Sequence, residues 1–330
     1  MGSQAYRAAG VDLDAAARVK ELFKPYVRST FTPQVIGDVG LFGGCFRLQG
    51  YQDPVLVAST DSVGTKIKLA LWLGRFDTIG HDLVNHCVND VYTTGARPLF
   101  FLDYVAVERL VPSQVAALVR GVAEACKAVG CVLLGGETAQ LPGIYAKGAL
   151  DLAGFLVGAA EREALLDPLS TVRGGDVLLG IPSSGLHTNG YSLVRSVYRL
   201  DEDPAPLKRY EPELGRTLGE ALLEPHRCYY PLLEPAMPLI RGMAHITGGG
   251  LPENLARIMP KGLTFRVDKS SWEVPPLFRL IQRQGNVSDG EMERVFNLGV
   301  GMVLACAPER AAEVQRLLPE AWVLGEVVPS

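Results

Sequence analysis

Disulfide chemistry is the first thing this sequence lacks: six cysteines in 330 residues, Cys45, Cys87, Cys126, Cys131, Cys228 and Cys306, with no C-x-x-C pair. So sparse a set excludes a disulfide scaffold and predicts reduced thiols, mostly in the core. Long apolar runs are missing too. No stretch approaches the ~20 residues that cross a bilayer. Residues 1–12 lack the apolar centre of a secretory signal, which predicts a soluble cytoplasmic protein with no membrane partner. Met1-Gly2 opens like a myristoylation signal, yet Tyr6 stands where that signal needs Ser or Thr, so lipid anchoring is excluded. Charge of one sign is also absent: 32 Lys+Arg against 36 Asp+Glu give a formal net charge of -4, with the signs interspersed. A general nucleic-acid footprint is excluded on that ground. The chain carries no G-x-x-x-x-G-K-[ST] loop, no G-x-G-x-x-G between strand and helix, no H-E-x-x-H and no G-x-S-x-G. P-loop NTPases, dinucleotide enzymes, zincins and α/β-hydrolases thereby lose their signatures. No fixed-period repeat or low-complexity tract is present.

What is present suffices for real cores. Hydrophobic residues make up 48% of the chain, and its length corresponds to about two domains at ~150 residues each. The 36 glycines and 22 prolines exceed average usage and are clustered. Apolar spacing predicts helices over 14–27, 66–73, 79–94 and 111–129, the first with Val19, Leu22, Phe23 and Tyr26 on its apolar side. Strands are predicted over 55–58, 99–107, 131–134 and 151–159, with a glycine-rich loop over 37–44. A charged segment meeting Pro168 and Gly174-Gly175 marks a seam over 161–176. Beyond it, strands at 177–181, 263–267, 301–306 and 322–328 alternate with helices after the 183–192 loop, after Pro252, at 276–284 and at 308–318, around a proline-rich middle. The expected fold class is α/β (α+β mixed), in two domains, 1–163 and 164–330.

Polar residues collect at the ends of these elements. The run from Thr60 to Lys66 (TDSVGTK) places a carboxylate, hydroxyls, a glycine and a lysine between a strand and a helix. Free N–H groups and the helix dipole suit an anion there; a plain capping turn with Asp61 or Thr65 as N-cap is the alternative. The helix over 79–94 lacks Lys, Glu and Arg, and carries Asp82, His86, Asn89 and Asp90 on one side. That strip is either a ligating face or a buried, mutually hydrogen-bonded patch. Asp103 interrupts an apolar strand, and Glu137 follows Gly135-Gly136. Asp61, Asp90 and Glu137, with Asp103, can together hold a hard cation such as Mg²⁺, which binds polyphosphate. In the second half, Ser183 to Ser192 (SSGLHTNGYS) is a polar loop around His187. His245 to Asn254 (HITGGGLPEN) joins a histidine to three glycines before Pro252. Free glycine N–H groups would form a phosphate nest there, and His245 could transfer a proton; a flexible glycine turn is the alternative.

With these residues in hand, the chain resembles the phosphoribosylformylglycinamidine cyclo-ligase (aminoimidazole ribonucleotide synthetase) family from Tyr6 to about Glu326. The matching blocks include Ala9 to Asp12 (AGVD), the Thr60 to Lys66 turn, Cys87 to Asp90 (CVND), Pro98 to Tyr104 (PLFFLDY), Gly135 to Tyr145 (GGETAQLPGIY), Ser183 to Arg195, His245 to Asn254 and Glu291 to Leu304. The resemblance implies an N-terminal ATP/Mg²⁺ domain giving strands to a barrel-like homodimer, and a C-terminal substrate and phosphate domain. It implies ATP-dependent cyclisation of formylglycinamidine ribonucleotide to aminoimidazole ribonucleotide, with ADP and phosphate released. Carried over by position, Asp61, Asp90 and Glu137 would serve Mg²⁺-ATP, with Asp103 beside them. Gly64, Thr65, Lys66, Asn89 and Gly136 would lie near ATP, and Gly248, Gly249 and Gly250 would hold a phosphate. His187, Asn189 and His245 would face the reacting centre. Thiamine-monophosphate kinase and selenide, water dikinase share the implied architecture and are the nearest alternatives. Four departures from the family pattern stand out: Ser62 where glycine is usual, Thr188 for serine, Gln140-Leu141 for Glu-Met, and Pro225-His226-Arg227 for Pro-Thr-Arg.

Overall fold

The computed structural model describes residues 4–40 and 42–330. The myristoylation-like Met1-Gly2 and Leu41 of the glycine-rich loop lie outside the described residues. The chain divides into two compact units, Met1–Val91 with Ala96–Arg162, and Tyr92–Gly95 with Glu163–Ser330.

The first unit is a four-stranded sheet backed by helices. Its strands are β1 (Pro54–Ser62), β2 (Arg97–Val107), β3 (Val132–Gln140) and β4 (Leu150–Glu161). They lie in the order β1-β4-β2-β3. Only β2 and β3 run parallel, because the helix between them, Pro112–Ala128, supplies the long crossover that parallel pairing requires. Both β1 and β3 outrun their apolar runs. Thr60, Asp61 and Ser62 pair with Phe155, Gly154 and Ala153 of β4, and Gly136 and Glu137 pair with Asp103 and Tyr104 of β2. The expected turn at 60–62 and the expected strand end at 135–137 are therefore strand. Ladder pairing with a neighbour overrides local turn propensity.

The helices are α1 (Leu13–Arg28), α2 (Lys66–Leu73), α3 (Asp77–Tyr92) and α4 (Pro112–Ala128). Asp12 caps α1 by accepting from the Ala15 N–H at 2.9 Å, and α1 packs along α4. Val19 is buried in that contact, whereas Leu22 and Tyr26 are exposed. Helices α3 and α4 meet backbone to backbone at Gly80 and Gly121. A Cβ on Gly80 would stand 2.2 Å from the Val122 nitrogen, and one on Gly121 would stand 2.2 Å from the Asp77 carbonyl oxygen.

The second unit holds a five-stranded antiparallel sheet: β5 (Val177–Pro182), β6 (Ile240–His245), β7 (Leu263–Val267), β8 (Val300–Cys306) and β9 (Trp322–Pro329). Its order is β6-β8-β5-β9-β7. Strand β8 is buried along its whole length. One face of β5 and β8 gives Leu179, Ile181, Met302 and Leu304 to one core, and the other gives Leu178, Val303 and Ala305 to a second. Strand β6 has no counterpart in the periodicity reading. Nor does the helix Asp289–Val295, which Ser288 caps through the Glu291 N–H. The six cysteines are free thiols, with Cys87, Cys126, Cys131 and Cys306 buried. Among the described residues, no helix is long and apolar enough to cross a membrane.

Replacing Gly with Ala inside a helix ordinarily adds stability. At Gly80 and Gly121 the outcome is expected to reverse: either alanine should lower stability by about 1–3 kcal/mol in urea unfolding, because helices in backbone contact cannot admit a methyl group.

Candidate functional site

In the first unit the sheet register sets the chemistry. Asp61 pairs with Gly154, Gly154 with Asp103, and Asp103 with Gly136, forming one lateral row across all four strands. Residues in such a row share a face. On this face a Cβ at Gly154 would meet Leu83 of α3 at 3.0 Å, and a Cβ at Gly136 would stand 1.9 Å from Asp103 Oδ1. Two carboxylates thus alternate with two glycines: Gly136 opens the space that Asp103 fills, and Gly154 the space that Phe101 and Leu83 fill.

Helix α3 lays its short polar residues over this row. His86 Nε2 lies 3.5 Å from Asp61 Oδ2. Burial, then the charge of Asp90, then a hydrogen bond between the two carboxyl groups push Asp61 up to about 7. Burial alone pushes Asp103 up to about 7. Oxygen donors that must share a proton when left to themselves are the set a hard divalent cation suits. Asn89 is fully buried beside Asp90 in the chain. Glu137 is exposed and pairs with Tyr104, one step beyond Asp103, on the alternate face of the sheet. The structure brings Asp61, Asp90 and Asp103 to the helix-covered face and leaves Glu137 on the other.

Two expectations at the strand-to-helix turn are corrected. Lys66 does not present its ammonium to an open phosphate turn: Nζ is buried and makes a 2.7 Å salt bridge with Asp82 Oδ1, both side chains at 0% exposure. A buried lysine persists only when its charge is met, and α3 meets it. The Gly64 N–H turns back to Ser62 Oγ at 3.3 Å. Thr65 is the N-cap of α2 but makes no side-chain cap bond. Gln140, another departure, accepts from Asp12 N–H and donates to Asp12 C=O, both at 3.1 Å, tying β3 to the start of α1. A glutamate could only accept there.

The second unit gathers imidazoles. His245 ends β6, His187 sits in the loop after β5 with φ at 60°, and His226 precedes the short helix at Tyr230–Leu233. His226 Nε2 lies 2.9 Å from His245 Nε2, and the His226 ring stacks on His187 with centroids 4.0 Å apart. The Ser184 N–H donates to His187 Nε2 at 3.2 Å. Tyr229, whose phenol is pushed up by burial, donates to Pro182 C=O at 3.0 Å. Gly301 makes room for this group: a Cβ there would stand 1.8 Å from the Tyr229 hydroxyl and 2.8 Å from His187. Asn297 holds the 183–190 loop by accepting from Ser183 Oγ at 3.0 Å and donating to Gly185 C=O at 2.9 Å. Asn189 Oδ1 reaches to 3.3 Å from a Cβ position on Gly248, so the His187 and His245 loops lie side by side.

The glycine nest is the third correction. The N–H of Gly249 donates to Arg294 C=O at 3.0 Å and that of Gly250 to Thr247 C=O at 3.1 Å. Asn254 clamps the turn from below by donating to the Gly250 carbonyl at 2.8 Å and the Gly248 carbonyl at 3.2 Å. A cavity of about 710 Å³ beside Gly249 is lined by Glu253, Glu291 and Arg294, a mixed-charge surface rather than a ring of donors. The sequence pattern marks His226 only as a departure and gives Tyr229 and Asn297 no role. Position 226 carried the one available signal, a titratable residue where the family has threonine.

Comparison with known proteins bears on both units. Residues 43–160 match the family described as AIR synthase related protein, N-terminal domain, and residues 173–330 match its C-terminal domain. A relative from Desulfitobacterium hafniense (strain DSM 10664 / DCB-2), named phosphoribosylformylglycinamidine cyclo-ligase, is 52% identical over 332 residues, covering 98% of this chain and 96% of its own. One of the same name from Geobacillus thermodenitrificans (strain NG80-2) is 50% identical over 333 residues, with the same coverage. Among solved structures, thiamine-monophosphate kinase from Stenotrophomonas maltophilia K279a superposes with a TM-score of 0.66 at 15% identity, over 94% of each chain. The hydrogenase maturation protein HypE in complex with ATP gives 0.66 at 17% identity, over 95% of this chain and 86% of its own. Both are similar in fold.

Two outcomes test the first-unit geometry. Asp82→Ala should cost about 3–5 kcal/mol in urea unfolding, whereas the paired Lys66→Met/Asp82→Leu change should recover most of that loss, because no charge is then left stranded. The second concerns pH. Asp61 and Asp103 hold their protons to about 7 in the folded state and release them near 4 when unfolded. Their contribution to stability is complete below about pH 4 and is lost as pH climbs to about 7. Metal-free protein should therefore lose Tm between pH 5 and 8, with a shallower slope in Asp61→Asn; equal slopes would refute the shared-proton arrangement.

Proposed function

The chain belongs to the phosphoribosylformylglycinamidine cyclo-ligase family, and we propose that it catalyses the ring closure that the name describes. ATP and formylglycinamidine ribonucleotide become aminoimidazole ribonucleotide, ADP and phosphate, a step of purine biosynthesis suited to the cytoplasm. The observation that carries this reading is the near-full-length identity to cyclo-ligases, which spans both the carboxylates of the first unit and the histidines of the second.

The chemistry follows from a leaving-group problem. An amide oxygen leaves poorly, so the γ-phosphoryl group of ATP is transferred to the formyl oxygen. The amidine nitrogen of the same molecule then attacks the formyl carbon, and the nitrogen gives up a proton. The carbon–oxygen bond breaks, and phosphate departs with the electron pair. Closure within one molecule replaces a bimolecular encounter, which is worth several kcal/mol when the ends are held in place.

The residues divide this work by type. Asp61 and Asp90, with Asp103, are suited to hold Mg²⁺, since their carboxyl groups are hard donors already crowded into sharing a proton. When bound, the ion neutralises polyphosphate charge. Gly64 and Thr65 at the β1–α2 junction, with Asn89 of α3 and Gly136 of β3, would receive ATP, and Glu137 would act from the alternate face. Lys66 acts as a positioning residue, fixing α3 to α2 through Asp82. In the second unit, His187 or His245 removes the amidine proton, Asn189 orients the reacting group, and Gly248 to Gly250 shape the floor. The open face of the first unit's sheet exposes Leu56 at 60% and Phe155 at 45%, on the same face of the β1–β4 pair, where Leu56 lies opposite Ala159 and Phe155 opposite Thr60. Such a face suits a second copy of the chain and supports a homodimer.

The deciding measurement is ADP release from Mg²⁺-ATP with and without formylglycinamidine ribonucleotide, with the imidazole product followed in parallel. ADP and imidazole should appear in equal amounts and only with that substrate, and His187→Ala or His245→Ala should lower kcat by about 10²–10⁴-fold. ADP release indifferent to the substrate, with no imidazole formed, would send the reading to another phosphoryl acceptor.

A further inference from the structure

The ring closure leaves the buried imidazole of His226 unused. His226 is 1% exposed, like His187, and His245 is 6% exposed. One nitrogen from each of the three rings lies within 4.8 Å of the other two. Three neutral imidazoles make a borderline-soft donor set, the chemistry that selects Zn²⁺, Co²⁺, Ni²⁺ or Cu²⁺ and that Mg²⁺ declines.

We propose that His187, His226 and His245 form a binding site for a divalent transition ion of the zinc class, chemically distinct from the carboxylate set suited to Mg²⁺. Bond lengths of about 2.0–2.1 Å in a tetrahedral site place ligand nitrogens roughly 3.3 Å apart. The two Nε2 atoms at 2.9 Å need to open by only a few tenths of an ångström. Whichever neutral ring donates in that contact shifts its proton from Nε2 to its own Nδ1 when both Nε2 lone pairs turn to the ion, so no net proton is released. On His226 that Nδ1 faces Thr188 Oγ1 at 3.5 Å, an outer partner of the kind that orients a metal-bound imidazole. His187 is the ligand that has to move. Its plane lies 19° from that of His226, and parallel rings cannot aim their lone pairs at one point. It joins the ion by turning out of the stack and releasing the Ser184 N–H. An occupied site would withdraw both candidate proton-transfer histidines and inhibit turnover. That consequence rests on the cyclo-ligase reading, whereas binding does not.

The test uses the full chain, stripped with a chelator, in excess Mg²⁺ so that carboxylates are already occupied. Titration with Co²⁺ should give one ion per chain, with the strong visible absorption of a four-coordinate, nitrogen-ligated ion, displaced by Zn²⁺. His226→Thr and His226→Gln should each weaken binding by ~100-fold or more, beyond what loss of an outer partner alone causes. The glutamine keeps bulk and a hydrogen-bonding end at 226, so a folding defect in the threonine variant leaves the question answerable. His81→Ala, at a half-exposed histidine bridged to Glu124, should change nothing. Absence of the spectrum, or unchanged affinity in a folded His226 variant, would overturn the proposal and leave the three rings as a proton-sharing stack.

Discussion

Burying acidic groups under a helix is the constraint on which the first unit depends. Each carboxylate taken from water costs several kcal/mol unless its charge is met or given up. The unit uses both remedies on one helix. Asp82 is met by the Lys66 ammonium at 2.7 Å. Asp61 instead gives up its charge, held up at about 7 by burial and then by the neighbouring Asp90 carboxyl group. Helix α3 can come close enough to do this because Gly80 and Gly121 let it lie backbone to backbone on α4. On the sheet side, Gly154 and Gly136 leave the volume that a side chain would take from Asp103 and α3. Packing and electrostatics are the same problem here.

The second unit solves a different problem, holding three imidazoles still without surrounding them by counter-charges of their own loops. Strands β5 and β8, buried on both faces, form the rigid floor. Gly301 in β8 leaves the gap into which Tyr229 and His187 fit. Asn297 and Asn254 then spend their amides on backbone carbonyls of the two loops. Residues that never face a substrate thus set the separation of those that can, as function placed on loops requires of its scaffold. The zinc-class site and the proton-transfer role draw on the same rings, so the unit's chemistry depends on what shares the lone pairs.

Much of this was legible beforehand, and the misses have particular causes. The helix over 66–73 and the strand at 263–267 match the observed bounds, since Gly64 and Gly74 punctuate the first and Gly262 opens the second. The strands at Asp61 and Gly136 were cut short because Thr-Asp-Ser and Gly-Gly-Glu carry turn propensity, while ladder partners far away in sequence decide the matter. Strand β6 was missed because Ile240-Arg-Gly-Met-Ala-His245 alternates poorly, both of its faces being buried except at Arg241. The free glycine nest failed for want of one distant fact, that the Arg294 carbonyl takes the Gly249 N–H.

The sequence by itself determined the class of the molecule: two α/β units, reduced thiols, no P-loop, a strip of short polar residues on one helix, and blocks that resemble one family. These are properties of composition and local spacing, which survive in one dimension. Only the tertiary structure decided partnership. It turned Lys66 inward to Asp82, set Asp61 and Asp103 in one row and Glu137 on the other face, and placed His226 between His187 and His245. Charge states, shared protons and stacked rings depend on distances of a few ångströms between residues tens of positions apart, and such distances exist only once the chain has packed.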